Sequence, residues 1–324
     1  MSRKSTRGQR LTIKQGESGL DGTDLLPPPA VPAVTDIPAI DAMAKAIFAT
    51  STGTAWLVAT GTLTNIAQLI TKYPTIVEHI KGLSIMGGAI GGGFTAAPMG
   101  KIGAVERFGN WTPYAGEAVN PRYITLSTNN LIEFNIVCDP EASYAVFSNP
   151  VLATKTNLIP LDVTHQVLAT QSVQDLLLYG PSRTASPSSP PSQLRVMLIE
   201  LINFFAETYA SVFGITAGPP LHDPLALAVI LDGIAGVEMP FYDFIGVNGE
   251  KGRNERYAVN IISEGTHAQA VAGETQTGRT VATLLPDGAE GVKIPRSLNV
   301  ERFWDVLEVC LQRADEKNAV LGVK

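Results

Sequence analysis

Thr54-Ala55-Trp56-Leu57-Val58-Ala59-Thr60-Gly61 and, further on, Gly82-Leu83-Ser84-Ile85-Met86-Gly87-Gly88 decide the fold. Each is a short apolar run halted by glycine, the pattern of a buried strand that ends in a turn. Between them Thr64 reads as an N-cap for a helix over residues 65–72, which Pro74 closes. Strand, helix, strand at this spacing is a βαβ unit, and its strands run parallel. Open sheets of this kind place their sites beyond the carboxyl ends of the strands. Here those ends are Thr60 and Gly87-Gly88.

Working outward, residues 37–49 carry Ile40, Met43, Ala44 and Ile47 at helical spacing. Leu158-Ile159-Pro160-Leu161 reads as a further strand, and residues 193–213 as a long apolar helix. Asp223 and Pro224 open a buried helix over residues 223–231. Residues 257–262 and 280–285 are strand-like, and residues 300–314 form an amphipathic helix. The Ser/Pro-rich stretch 182–192 is loop. With no repeat and no second core, the expectation is one α/β domain: a mostly parallel, Rossmann-like sheet flanked by helices.

The 324 residues are 45% hydrophobic and 17% charged, which supports a sizeable core and excludes wholesale disorder. A net charge of −6 argues against a general nucleic-acid binder. Cys138 and Cys310, the only two cysteines, cannot build a disulfide framework, so a reducing, cytoplasmic compartment is expected. Gly, Pro, Asp or Lys breaks every apolar stretch well short of the ~18–20 residues of a membrane span. Arg3, Lys4, Arg7, Arg10 and Lys14 make residues 1–15 a basic tail.

Few residues carry chemistry. Gly87-Gly88-Ala89-Ile90-Gly91-Gly92-Gly93 has neither a G-x-G-x-x-G register nor a Gly-Lys-Ser/Thr ending. It reads as a flexible turn, or as backbone passing close to a ligand. His222-Asp223-Pro224 is either a helix cap or a metal-binding carboxylate beside a proton-donating imidazole. His79 and His267 have no partner at ligand spacing and read as surface or packing residues, and His165 ends Leu161-Asp162-Val163-Thr164-His165. In Glu133-Phe134-Asn135 an acid and an amide two apart would share one side of an extended segment, a pairing suited to sugar hydroxyls.

Taken in order, these segments resemble the inosine–uridine nucleoside hydrolases. Ala59-Thr60-Gly61-Thr62-Leu63-Thr64-Asn65-Ile66-Ala67 is similar to that family's A-T-G-P-L-T-N-I-A. Ile85-Met86-Gly87-Gly88, Glu133-Phe134-Asn135-Ile136 with Asp139-Pro140-Glu141-Ala142, the Leu161–His165 run and His222-Asp223-Pro224-Leu225-Ala226 follow in family order. So do the Gly16-Glu17-Ser18-Gly19 segment and the stretch from Glu264 through Gly278-Arg279-Thr280 to Arg302-Phe303-Trp304. The resemblance covers residues 16–324 and looks closest to fungal uridine/ribonucleoside hydrolases. It implies cleavage of the N-glycosidic bond of ribonucleosides with a bound Ca²⁺, no nucleic-acid or membrane partner, and a homo-oligomer. By motif it implies Thr60 (through its carbonyl) and Asp223 as Ca²⁺ ligands. It implies Met86, Asn110, Glu133 and Asn135 around the ribose, and His222 beside the leaving base.

Two departures set the expectation for activity. The family's D-x-D-P-G-x-D-D run, which supplies most Ca²⁺ carboxylates and the general base, does not occur in the sequence, so the resemblance implies a nucleoside hydrolase fold lacking its first strands. The family's unbroken G-N-x-T-P-x-A-E-F-N is split here between Gly109-Asn110-Trp111-Thr112-Pro113-Tyr114-Ala115 and Glu133-Phe134-Asn135, which makes residues 116–132 an insertion. Two readings follow: a nucleoside hydrolase of impaired activity, or a non-catalytic nucleoside- or partner-binding remnant of the same fold. A nicotinamide-binding Rossmann enzyme would need the glycine fingerprint that is missing.

Overall fold

The computed structural model describes residues 20, 22–91, 93–98, 101–102, 105–106, 133–184, 190–243, 254–271 and 274–322. The basic tail 1–15, Asn110 and the insertion 116–132 lie outside the described residues. In chain order the strands are β1 (Trp56–Ala59), β2 (Gly82–Met86), β3 (Lys101–Ile102), β4 (Val105–Glu106), β5 (Thr156–Ile159), β6 (Phe241–Tyr242), β7 (Tyr257–Ile261), β8 (Thr280–Leu284) and β9 (Ser297–Leu298).

The expected βαβ unit is present. β1 and β2 pair in parallel with Trp56 opposite Gly82, and β2 pairs in parallel with β5, giving the order β1-β2-β5. β2 is central and buried at every position, whereas Trp56, Leu57 and Val58 of β1 are half-buried. The strands alternate between two covered faces, as parallel strands do. Leu83, Ile85 and Leu158 enter one apolar cluster, with Ile66, Leu69 and Ile76 of the crossover and Val259 and Ile261 of β7. On the other face the Ser84 hydroxyl donates to Ala226 O at 2.6 Å, and Ile159 joins a second cluster with Leu177, Leu225, Phe303 and Trp304. β7 and β8 form an antiparallel hairpin, and the isolated bridge Asn157–Lys293 shields the far edge of β5.

Several local readings shift. The crossover helix is Thr64–Lys72, so Thr64 is its first residue rather than its cap, and the Thr64 hydroxyl donates instead to the Asp139 carboxylate. Asp139 caps the helix Pro140–Phe147 through Ala142 N. The Asp-Pro-Glu-Ala motif therefore ties two helix starts together. β5 stops at Ile159, because Pro160 has no N–H for the ladder and leads into the helix Leu161–Thr164. The last helix runs on to Leu321.

Candidate active site

The carboxyl ends of β1 and β2 meet at one side chain. The Asn135 amide nitrogen donates to Met86 O at 3.0 Å and to Thr60 O at 3.4 Å, with Met86 Sδ at 3.4 Å. Two carbonyls can only face the NH₂ end of the amide, so Oδ1 remains as the acceptor. Thr60, Met86 and Asn135, expected from the sequence to share a site, are brought together.

Glu133 joins them, in a geometry the sequence did not convey. The segment is not extended: Glu133 caps the short helix Phe134–Val137. Its Oε1 accepts from Asn135 N at 2.9 Å, and its Oε2 from Gly88 N at 2.9 Å and Ile136 N at 3.2 Å. Gly88 reaches that position at φ +80°, a conformation that suits glycine. The carboxylate is buried, and burial pushes its pKa up to about 7 against the pull of three backbone N–H groups; Asp223 adds to the rise. The rest of the glycine loop is held by Asp162, 1% exposed, whose oxygens accept from Ile90 N and Gly91 N at 2.7 Å each. The loop amides thus serve two buried carboxylates, Glu133 and Asp162.

His222 and Asp223 sit where the helix Asp223–Ala228 begins, and that helix packs on β2 through Ala226. Asp223 is exposed, and partial desolvation by its neighbours still raises its pKa. His222 lies between two hydroxyls: Nδ1 is 2.7 Å from Thr164 Oγ1 and Nε2 is 2.5 Å from the Tyr209 hydroxyl. Although part of its surface reaches solvent, the close packing around the ring, helped by His165, lowers its pKa to about 3. His165 is 5.5 Å away between ring centres, buried, and bonded through Nδ1 to Pro98 O. Tyr209 is pushed up by burial and by the charges of Glu133 and Asp223, which places these groups in one electrostatic neighbourhood.

Tyr209, Thr164, His165 and Asp162 were not singled out for a role in the sequence. Tyr209 lies in the apolar helix Gln193–Phe213, where nothing in the local pattern separates it from packing residues. Thr164 and Asp162 stand in a motif that could have pointed to them.

The metal implied by the resemblance can be tested on the donor set. Thr60 O already accepts the Asn135 amide, Glu133 is committed to backbone amides, and Asp223 is the one open carboxylate. Among the described residues no three His, Cys, Asp or Glu side chains converge as a metal site requires. Ca²⁺ takes ~6–8 oxygens, several of them carboxylate. The described donors do not fit such a cage.

An α/β protein with a parallel sheet, an amide and two carboxylates at its strand ends and an imidazole at a neighbouring helix start has the outline of a sugar-binding hydrolase. The model of the inosine-uridine preferring nucleoside hydrolase family matches residues 4–305, and the chain belongs to that family. It is 31% identical over 306 residues to the uridine nucleosidase of Saccharomyces cerevisiae, covering 94% of this chain and 74% of that one. It is 32% identical to a probable ribonucleoside hydrolase of Dictyostelium discoideum, covering 90% and 69%. A pyrimidine-specific ribonucleoside hydrolase of Salmonella arizonae is 32% identical over 219 residues, and the match spans about half of that protein, 54%. Among solved structures, a purine-preferring ribonucleoside hydrolase from Gardnerella vaginalis superposes with a TM-score of 0.58 at 22% identity, over 92% of this chain and 72% of that one. A plant nucleoside hydrolase gives 0.56 at 20%, over 92% and 73%. These two likenesses speak for the fold. No helix among the described residues is long and apolar enough to cross a membrane.

Proposed function

We propose that the site binds the ribosyl group of a purine or pyrimidine ribonucleoside, inosine or uridine, for hydrolysis of its N-glycosidic bond. The observation that carries this reading is the junction of β1 and β2 by Asn135, with Glu133, His222 and Asp223 beside it. Asn135 offers Oδ1 to a sugar hydroxyl, Met86 forms wall, and Asn110 enters only through the resemblance. His222, with a pKa of about 3, is neutral at pH 7. One nitrogen of a neutral imidazole donates and the other accepts. A ring held between Thr164 and Tyr209 is the middle of a hydroxyl–imidazole–hydroxyl chain, along which a proton can be handed toward a departing base from one end while water replaces it at the other. A cytoplasmic enzyme of nucleoside salvage that assembles as a homo-oligomer belongs to the same reading.

Turnover by these 324 residues is expected to be slow. The described donors neither cage Ca²⁺ nor supply a base for water, and a general base alone contributes ~10²–10⁴-fold. The test is base release from inosine and uridine, with Ca²⁺ and with chelator. The comparison is a chain that carries a D-x-D-P-G-x-D-D segment and lacks residues 116–132. The expected result is that the unaltered chain is at least ~10²-fold slower. Equal, chelator-sensitive rates would overturn the low activity, and no release by the altered chain would favour the non-catalytic remnant.

A further inference from the structure

A cavity of about 430 Å³ lies apart from the β1–β2 strand ends, between the start of the helix Gln171–Tyr179 and the start of the helix Val300–Leu321. Its size is that of a small-molecule site. Trp304 forms one wall. The ring is 5% exposed, yet its indole N–H takes no hydrogen-bond partner among the described residues and is not sealed from solvent. Open to solvent and a donor only, it is free to donate to a ligand. Arg183 borders the same space, its Nη1 donating to Ser172 O at 3.2 Å. It is the one non-glycine residue at positive φ (+54°) among those described. Opposite charge lines the other side: Glu301 and Asp305, one turn apart, reach the cavity from the second helix. Gln166 completes this side. Its amide nitrogen donates to Asp162 O at 2.9 Å and Arg296 O at 2.8 Å, so both hydrogens are committed and Oε1 is left to accept. Val173 and Leu176 make the floor apolar.

From this arrangement we infer that the cavity is a second, non-catalytic site for a small zwitterion with an apolar side chain, an α-amino acid of leucine type. The carboxylate would face Arg183 and the Trp304 N–H, and the ammonium would face Glu301, Asp305 and Gln166 Oε1. A simple anion would meet two carboxylates, and a simple cation would leave the indole N–H and the guanidinium unmatched. Gln166 also grips the backbone of Asp162, the residue that holds the glycine loop, so the cavity wall is mechanically continuous with the active-site loop.

The test is a saturation-transfer NMR titration of the full chain with L-leucine, isoamylamine and 4-methylpentanoate. L-Leucine is expected to saturate one site, with the amine and the acid each at least tenfold weaker. Arg183→Gln and Glu301→Gln alter exposed side chains and are expected to weaken leucine at least tenfold each without moving the thermal midpoint. Trp304→Phe keeps an aromatic ring and removes the N–H, with the same expected loss. Absence of saturation, an amine or acid that binds as tightly as leucine, or undiminished binding in either exposed variant would overturn the inference.

Discussion

The helical layer and the strand ends treat buried charge differently. In the helical layer Glu308, 4% exposed, meets the Arg195 guanidinium through two bonds of 2.8 and 2.9 Å, while Arg195 Nε bonds Asp315 at 2.6 Å. At the strand ends Glu133 and Asp162 are just as buried, but their partners are backbone amides, and no cation pairs with them among the described residues. A paired charge fixes helices against one another. A carboxylate left without a counter-charge is held in a strained electrostatic state, which is common where a protein binds or reacts. The contrast separates scaffold from site without reference to any motif.

The largest effect should come from breaking the scaffold pair. Arg195→Met leaves the buried Glu308 carboxylate without its counter-charge and with Gln312 Nε2 as its remaining hydrogen-bond donor, and loss of one partner of a buried pair costs about 3–5 kcal/mol. Adding Glu308→Met should recover most of that loss, since an apolar pair has no charge to desolvate. Urea unfolding of the single and double variants measures both. A double variant no more stable than the single would mean that Glu308 is not stranded, and the contrast with Glu133 would fail.

The second effect sharpens the other side. Burial raises Glu133 from 4.5 to about 7, so the folded state holds this proton more tightly than the unfolded chain. The associated stability is fully present below pH 4.5 and is lost as pH rises through 7, amounting to about 3 kcal/mol at most. His165 and His222 act with opposite sign. Lowered to about 4 and about 3, they contribute stability above pH 6.5 that disappears as pH falls. The two tendencies oppose one another between pH 4.5 and 6.5, so only a difference measurement isolates the carboxyl. Glu133→Gln should lie close to the parent near pH 5 and gain relative to it up to pH 8. Parallel curves would show that Glu133 does not titrate in that range.

How far this site could be read in advance depended on whether its residues announce themselves locally. Thr60 and Met86 stand at glycine-bounded strand ends, and Asn135, grouped with them by the resemblance, bonds the carbonyls of both. The βαβ unit was legible because hydrophobic runs and breakers are local signals. Glu133 misled because an acid two residues from an amide fits a strand and a helix cap equally, and the amide of Gly88, distant in sequence, decides between them. Tyr209 could not be found, since its role rests on a contact with His222 that helix periodicity does not encode. Pro160 shortened β5 for a reason present in the sequence, but short apolar runs leave strand and helix ambiguous.

The smallest effect concerns a hydroxyl on the boundary between scaffold and site. Thr280, 4% exposed, opens β8 with an Oγ1 that has no hydrogen-bond partner among the described residues. It stands against the glycine loop, where a Cβ added at Gly88 would meet it at 3.1 Å. A buried, unpaired hydroxyl costs about 1–3 kcal/mol, and valine keeps both the shape and the β-branching. Thr280→Val should therefore stabilise the chain by about 1 kcal/mol, if Thr280 belongs to the scaffold alone. If it belongs to the site, the same variant should gain stability and also bind uridine at least fivefold more weakly, because the hydroxyl waits for a sugar oxygen. Thermal unfolding and a uridine titration of the same sample separate these outcomes. A loss of stability would show that the hydroxyl has a partner in solution, and Thr280 would then rank with the satisfied groups of the helical layer.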